Sequence, residues 1–188
     1  MTMLAPVQTV APTESPVSLL EAKAHLRVDG TDEDELIAAL IDAAVSHLDG
    51  WSGILGRCLM EQTWRQDMHC LSGCVRLPFP NVQSVTVQYY DPDNVLQTVS
   101  AANYHLVNRV DGAALELAVT ASWPNTYVRP DAVQITMVCG YSSVPAAIKA
   151  AILLHVGALF EQRSSLSDKP LMPVAYDALI TKYRMVGV

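Results

Sequence analysis

SLLEAKAHLRVDGTDEDELIAALIDAA, residues 18–44, reads as two helices in succession with an acidic turn between them. Ser18 stands three residues before Glu21, the spacing of a capping box, in which each side chain satisfies the other's backbone N–H. Leu19, Leu20, Ala22 and Leu26 supply an apolar face, and "VDG" ends the element. A helix this short must gain its stability by packing on something. The run from Asp29 to Glu35 then carries five carboxylates in seven residues. Thr31 reads as the N-cap of the second helix. Asp32, Glu33, Asp34 and Glu35 fill its first turn, where the helix dipole favours negative charge. Behind them Leu36, Ile37, Leu40, Ile41, Ala44, Val45, Leu48 and Trp51 form two adjacent apolar stripes, wider than one core-facing seam requires.

Working outward, residues 1–16 hold three prolines without periodicity and read as an extended arm. Residues 17–57 are helical. Residues 58–140 change character: "CLMEQTWRQDM", "VQSVTVQYYD", "NVLQTVS", "NYHLVN" and "VQITMVCGY" alternate with period two between Pro, Gly, Asp and Asn punctuation. This predicts a mostly antiparallel β region of about six strands, with "LPFPNV" and "SWPNTYVRPD" as stiffened connections. Helix returns in 141–188. "SSVPAAIKAAILLHVGALFEQR" reads with Ser143 or Val144 as cap and Pro145 at the first helical position. It is apolar nearly all round and should be buried on more than one side. A last helix, about 174–184, puts Tyr176, Leu179, Ile180 and Tyr183 on one face. The expected fold is α+β: a bundle of two N-terminal and two C-terminal helices around an inserted β region, with 17–188 forming one domain.

Hydrophobic residues make up 51% of the chain, only 16% are charged, and mean hydropathy is +0.22. Such a body folds rather than staying disordered, and leaves apolar surface for partner subunits. No window reaches the roughly 18 uninterrupted apolar residues of a membrane span, and no secretory leader is visible. Cys58, Cys70, Cys74 and Cys139 are irregularly spaced, which fits reduced thiols of the cytoplasm better than a disulfide framework. A net charge of −7 without a basic cluster argues against tight phosphate binding.

The acidic run fails as a calcium loop: counting from Asp29, the third, fifth and sixth places are Thr31, Glu33 and Asp34. Asp91 in "DPDNV" fails likewise and reads as a turn. His69, Cys70 and Cys74 offer three soft ligands where structural zinc needs four, so "HCLSGC" is expected to be a hairpin turn. His47 and His155 fall in apolar helices, where hydrogen-bonded packing roles are expected. No nucleophile elbow, zincin, phosphate-loop or dinucleotide motif occurs. Ser142 has no motif around it, and a small hydrolase built on it or on a carboxylate pair is a distant alternative. No cofactor or metal is expected.

Taken in order, "SLLEAKAHLRVDGTDEDELIAALIDAA", "GRCLMEQTW", "LPFPNVQSVTVQYYD", "SWP", "VCGYSSVPAAIKAAILLHVGALFEQR" and "ALITKYR" resemble the head–tail connector (adaptor) family of tailed phages, prophages and gene transfer agents. The resemblance runs over about residues 17–185. It implies a helical bundle with an inserted β region and a structural role, not catalysis. Family members form rings, typically dodecameric, under the capsid portal. They extend the DNA channel without binding DNA specifically, and carry the stopper and then the tail. It also implies a virion location after assembly in the host cytoplasm, with no membrane partner. By position, Tyr183, Arg184, Met185, Val186, Gly187 and Val188 match the segment that docks on the portal.

A subunit in such a ring buries two flanks, which suits Leu36, Leu40, Ile152 and Leu159 as seam residues. Asp32, Glu33, Asp34 and Glu35 suit the channel or a seam, since acidic walls repel phosphate over about a Debye length, roughly 8 Å. A stopper or tail-completion protein is the alternative within the same class. The arm, the glycine-rich "HLDGWSGILGR" and the cysteines depart from the family pattern.

Overall fold

The computed structural model describes residues 3–109, 112–162 and 174–185. The fold is α+β. Among the described residues four helices, α1 (Leu19–Leu26), α2 (Asp34–Leu48), α3 (Ala146–Glu161) and α4 (Val174–Ile180), accompany eight strands. These are β1 (Val7–Val10), β2 (Gln62–Met68), β3 (Val75–Arg76), β4 (Val82–Tyr90), β5 (Leu96–Thr98), β6 (Tyr104–Arg109), β7 (Gly112–Leu117) and β8 (Val133–Cys139). The described residues divide into a β unit, drawn from 3–12 and 61–141, and a helical unit, drawn from 13–60 and 142–185.

In the β unit one sheet runs β1-β2-β8-β4-β5 and a second runs β3-β7-β6, with every pairing antiparallel. β8 lies at the centre of the first. Val133, Ile135, Met137 and Cys139 alternate inward and are fully buried, as period-two patterning requires. Trp64 packs on the buried Phe79 with ring centroids 4.9 Å apart. The second sheet is tied to the first by Tyr104 Oη, which donates to the Val85 carbonyl (3.2 Å), and by Asn108 Nδ2, which donates to the Val82 carbonyl (3.1 Å).

β1 lies in the arm that the sequence left without secondary structure. Its side chains are all exposed, so hydrophobicity does not hold it. Its backbone ladder with β2 does, reinforced by two buried glutamines of that strand. Gln8 donates to Gln62 Oε1 at 2.5 Å, and Gln66 donates to the Leu4 carbonyl at 2.5 Å. Gln62 also accepts from Trp64 Nε1 at 2.9 Å, so this amide is satisfied inside the fold rather than stranded there. β3 and β7 also escape the sequence reading. β7 has four successive buried residues, Gly112 to Leu115, which lack any alternation to read.

In the helical unit α1 begins as expected: Glu21 N–H donates to Ser18 Oγ (3.2 Å) and Ser18 N–H to Glu21 Oε2 (2.8 Å). It ends at Arg27 in the left-handed region rather than at a glycine. α2 starts later than Thr31. Glu33 occupies the cap position without a side-chain bond, and Thr31 only closes a turn through its carbonyl to Asp34 N–H. α3 is likewise capped by Pro145, not by Ser143 or Val144. Pro145 has an extended ψ of 137°, which a cap residue has and a first helical residue does not, and its carbonyl accepts from Ile148 and Lys149 as the first of the helix. The last element is α4 followed by a 3-10 turn, Thr181–Tyr183, with Tyr176 and Ile180 buried.

Candidate assembly surfaces

Only one of the two stripes on α2 is used within the unit. Ile37, Ile41, Ala44 and Leu48 are buried, one turn apart along one side. Leu36 on the neighbouring stripe is 40% exposed and Leu40 is half-buried. Leu20 on α1 is 78% exposed, and Trp51 beyond α2 is exposed too. α3 buries Ile148, Ala151, Ile152, His155 and Val156 and leaves Leu159 half-buried. Ile152, expected at a seam, is therefore spent inside its own unit and has no surface to offer a neighbour.

The acidic turn separates into distinct roles. Asp34 accepts from Lys23 Nζ at 2.5 Å, an ion pair that fastens the start of α2 to α1 with both side chains largely covered. Asp32 and Glu35 are exposed and Glu33 is half-buried. Glu21 is drawn below the usual carboxylate range, chiefly by the Ser18 N–H, and lies 3.7 Å from Lys149 of α3.

The glycine-rich departure after α2 is an anchoring loop. Asp49 Oδ1 accepts from Leu59 N–H at 2.6 Å, Gly50 N–H donates to Arg57, and Ile54 N–H returns to His47. Leu55 then presents its carbonyl to the Met185 N–H at 2.9 Å. Gly56 is required there: φ is +61°, and a Cβ would come within 3.3 Å of Met185 Cβ. Of the six tail residues, Arg184 reaches back to Asp177 (3.2 Å) and Tyr183 lies under Lys182 (4.9 Å). Val186, Gly187 and Val188 lie outside the described residues. The density of glycine between Asp49 and Arg57 was the only sequence signal for this anchor.

His155 and Tyr176 form a buried polar pair in the apolar core of the helical unit. His155 of α3 meets His47 edge-on at 5.2 Å and Tyr176 at 5.6 Å. His155 Nδ1 and Tyr176 Oη are buried without a hydrogen-bond partner, against the expectation of a bonded packing histidine. Burial lowers His155 to about 4, with His47 adding to it, and pushes Tyr176 up to about 12.

The chemical candidates resolve into turns. "HCLSGC" connects β2 in one sheet to β3 in the other, so it is a crossover between sheets rather than a hairpin. Gly73 takes φ +55° there and its carbonyl accepts from Trp123. None of the four cysteines is in a disulfide, and among the described residues no three His, Cys, Asp or Glu side chains gather as a metal set. Asp91 is drawn below the usual carboxylate range as it accepts from Val95 and Asp93 N–H groups in its turn. Ser142 is an exposed linker residue, and no described helix is long and apolar enough to cross a membrane.

The chain superposes with a TM-score of 0.80 on a subunit from a structure described as the neck of an empty GTA particle computed with C6 symmetry. Identity is 22%, over 98% of this chain and 97% of that one. A subunit from a native GTA neck computed with C12 symmetry gives 0.78 at 20% identity, and one from the virion of a native gene transfer agent particle gives 0.76 at 22%, with the same coverage. A comparison with curated protein sequences finds no match. Residues 16–105 match the family of phage gp6-like head-tail connector proteins, the family to which the sequence pointed.

Proposed function

We propose that this chain is a structural subunit of a virion neck, a head–tail adaptor that forms a ring beneath the capsid portal and carries the stopper and tail. The observation that carries the reading is the connector family pattern over residues 16–105 on a fold that matches neck subunits over nearly their whole length. A ring accounts for the open apolar stripe: Leu36, Leu40 and Leu159 would be covered by a neighbouring copy. Asp32 and Glu35 would face the channel or a seam, and a subunit charge of −7 repeated around a ring would repel passing DNA. Tyr183–Val188 would dock on the portal, with Met185 as its fixed root.

Deletion of the gene in a particle-producing cell should leave DNA-filled heads without tails, restored by supplying the chain in trans. Normal tailed particles from the deletion strain would overturn the reading. Removal of residues 183–188 should keep the fold and abolish co-purification with the portal ring; undiminished binding would exclude the tail as the docking segment.

A further inference from the structure

The five-stranded sheet ends in two unprotected edges of matching character. Soluble proteins blunt sheet edges with charge, proline or cover, because a free row of N–H and C=O groups recruits other strands. Here β1 (VQTV) and β5 (LQT) are exposed along their whole length, and Val7, Val10, Val95 and Leu96 are 43–55% exposed. No Lys, Arg, Asp or Glu occurs before Glu14 or between Asp93 and Arg109. On β5 the bonds Val99 N–H to Val87 and Asp91 N–H to Val95 fix which residues face β4. By antiparallel alternation, Leu96 and Thr98 then turn their N–H and C=O groups outward. Within β1 the ladder is interrupted by a bulge at Thr9, whose hydroxyl turns back to Thr63, and Pro6 and Pro12 stand just outside its two ends, leaving Val7–Val10 itself free of proline.

We infer that these edges pair with one another between copies, β5 of one subunit on β1 of the next, and so continue the sheet around the ring. This rests on the adaptor reading above. A cyclic assembly beyond a dimer needs two different complementary patches on each subunit, and one sheet has two edges. Direction agrees: with every neighbour antiparallel in the order β1-β2-β8-β4-β5, the first and fifth strands run the same way. The junction is therefore parallel, which no twofold pairing of like edges produces. Both edges are uncharged, so no like-charge repulsion opposes the contact.

The test uses particles assembled with the full chain carrying Cys70→Ser and Cys74→Ser, to which Val10→Cys, Leu96→Cys or both are added, followed by a short bismaleimide. The double variant should give a ladder of covalent multimers, and each single variant only monomer. Dimers from either single variant would mean like-edge pairing and overturn the inference. Chain recovered in tailed particles without a ladder would overturn it while leaving the adaptor reading standing; absence of the unsubstituted chain from particles would overturn both. If the double variant does not assemble, hydrogen exchange on the unsubstituted chain decides. The Leu96 and Thr98 amides should exchange at least ~10-fold more slowly in particles than in the free subunit, and unchanged rates would overturn the pairing.

Discussion

β8 and β5 belong to the same sheet and carry the same kind of alternating sequence, yet their apolar side chains do opposite things. In β8, Val133, Ile135 and Met137 are wholly buried; in β5, no side chain is. α2 repeats the contrast within a single helix, with Ile37 and Ile41 inside and Leu36 one position away at 40% exposure. Periodicity reports that a residue wants cover. It does not report whether the cover comes from the same chain or from another copy. Position in the topology does: centre against edge, inner stripe against outer.

The contrast breaks most visibly at the centre. Ile135→Ala should destabilise the purified chain by about 2–5 kcal/mol, because neighbours on both sides of β8 cannot close the cavity. Urea unfolding checks this, and a loss under about 1 kcal/mol would mean that β8 is not the core of the sheet. The helical unit offers the next largest effect. His155 is 5% exposed and its folded pKa of about 4 lies below the ordinary 6.5, so the neutral ring is what folding accepts. Its contribution is full above pH 6.5, declines as pH falls and the unfolded chain takes up the proton first, and levels off below about 4. The loss over that window amounts to roughly 3 kcal/mol. His155→Leu should flatten it; an unchanged pH profile would show that another group carries the acid sensitivity.

How far the sequence carried follows from the same distinction. Local signals were legible where a residue's partner lies three or four positions away, as in the Ser18–Glu21 box. Class and order of elements were legible where patterns run long. Thr31 and Ser143 misled as caps because capping chemistry is common in any polar turn, and the backbone chose Glu33 and Pro145. β1 escaped because its anchors are Gln62 and Gln66, buried amides that look like surface residues in a sequence. The Leu55–Met185 bond joins positions 130 residues apart and has no local trace beyond the glycines that make room for it. Ile152 read as a seam residue because α3 is apolar all round, and only the packing shows which sides are taken.

Ser18→Ala sharpens the picture of α1, an eight-residue helix that depends on its cap. Loss of the bond to Glu21 N–H, and of the return bond from Ser18 N–H if Glu21 is released, should cost about 1 kcal/mol. Thermal unfolding reads it, and Ser18→Asp should recover most of the loss. No change in the alanine variant would mean that packing of Ala22 alone holds the helix.

The smallest effect on folding should accompany the largest on assembly. Leu36→Lys places a charge on a side chain already 40% exposed, so the stability of the isolated chain should stay within about 0.5 kcal/mol of the parent. In a ring the same lysine would be buried against a neighbour's apolar surface, where an unpaired charge is strongly unfavourable. Particles produced with this variant should therefore lack the subunit and its tail, while Ile37→Lys, one position away, should fail earlier by preventing folding. Leu36→Lys that assembles normally would place the outer stripe of α2 away from the seam, leaving the sheet edges as the main contact between copies.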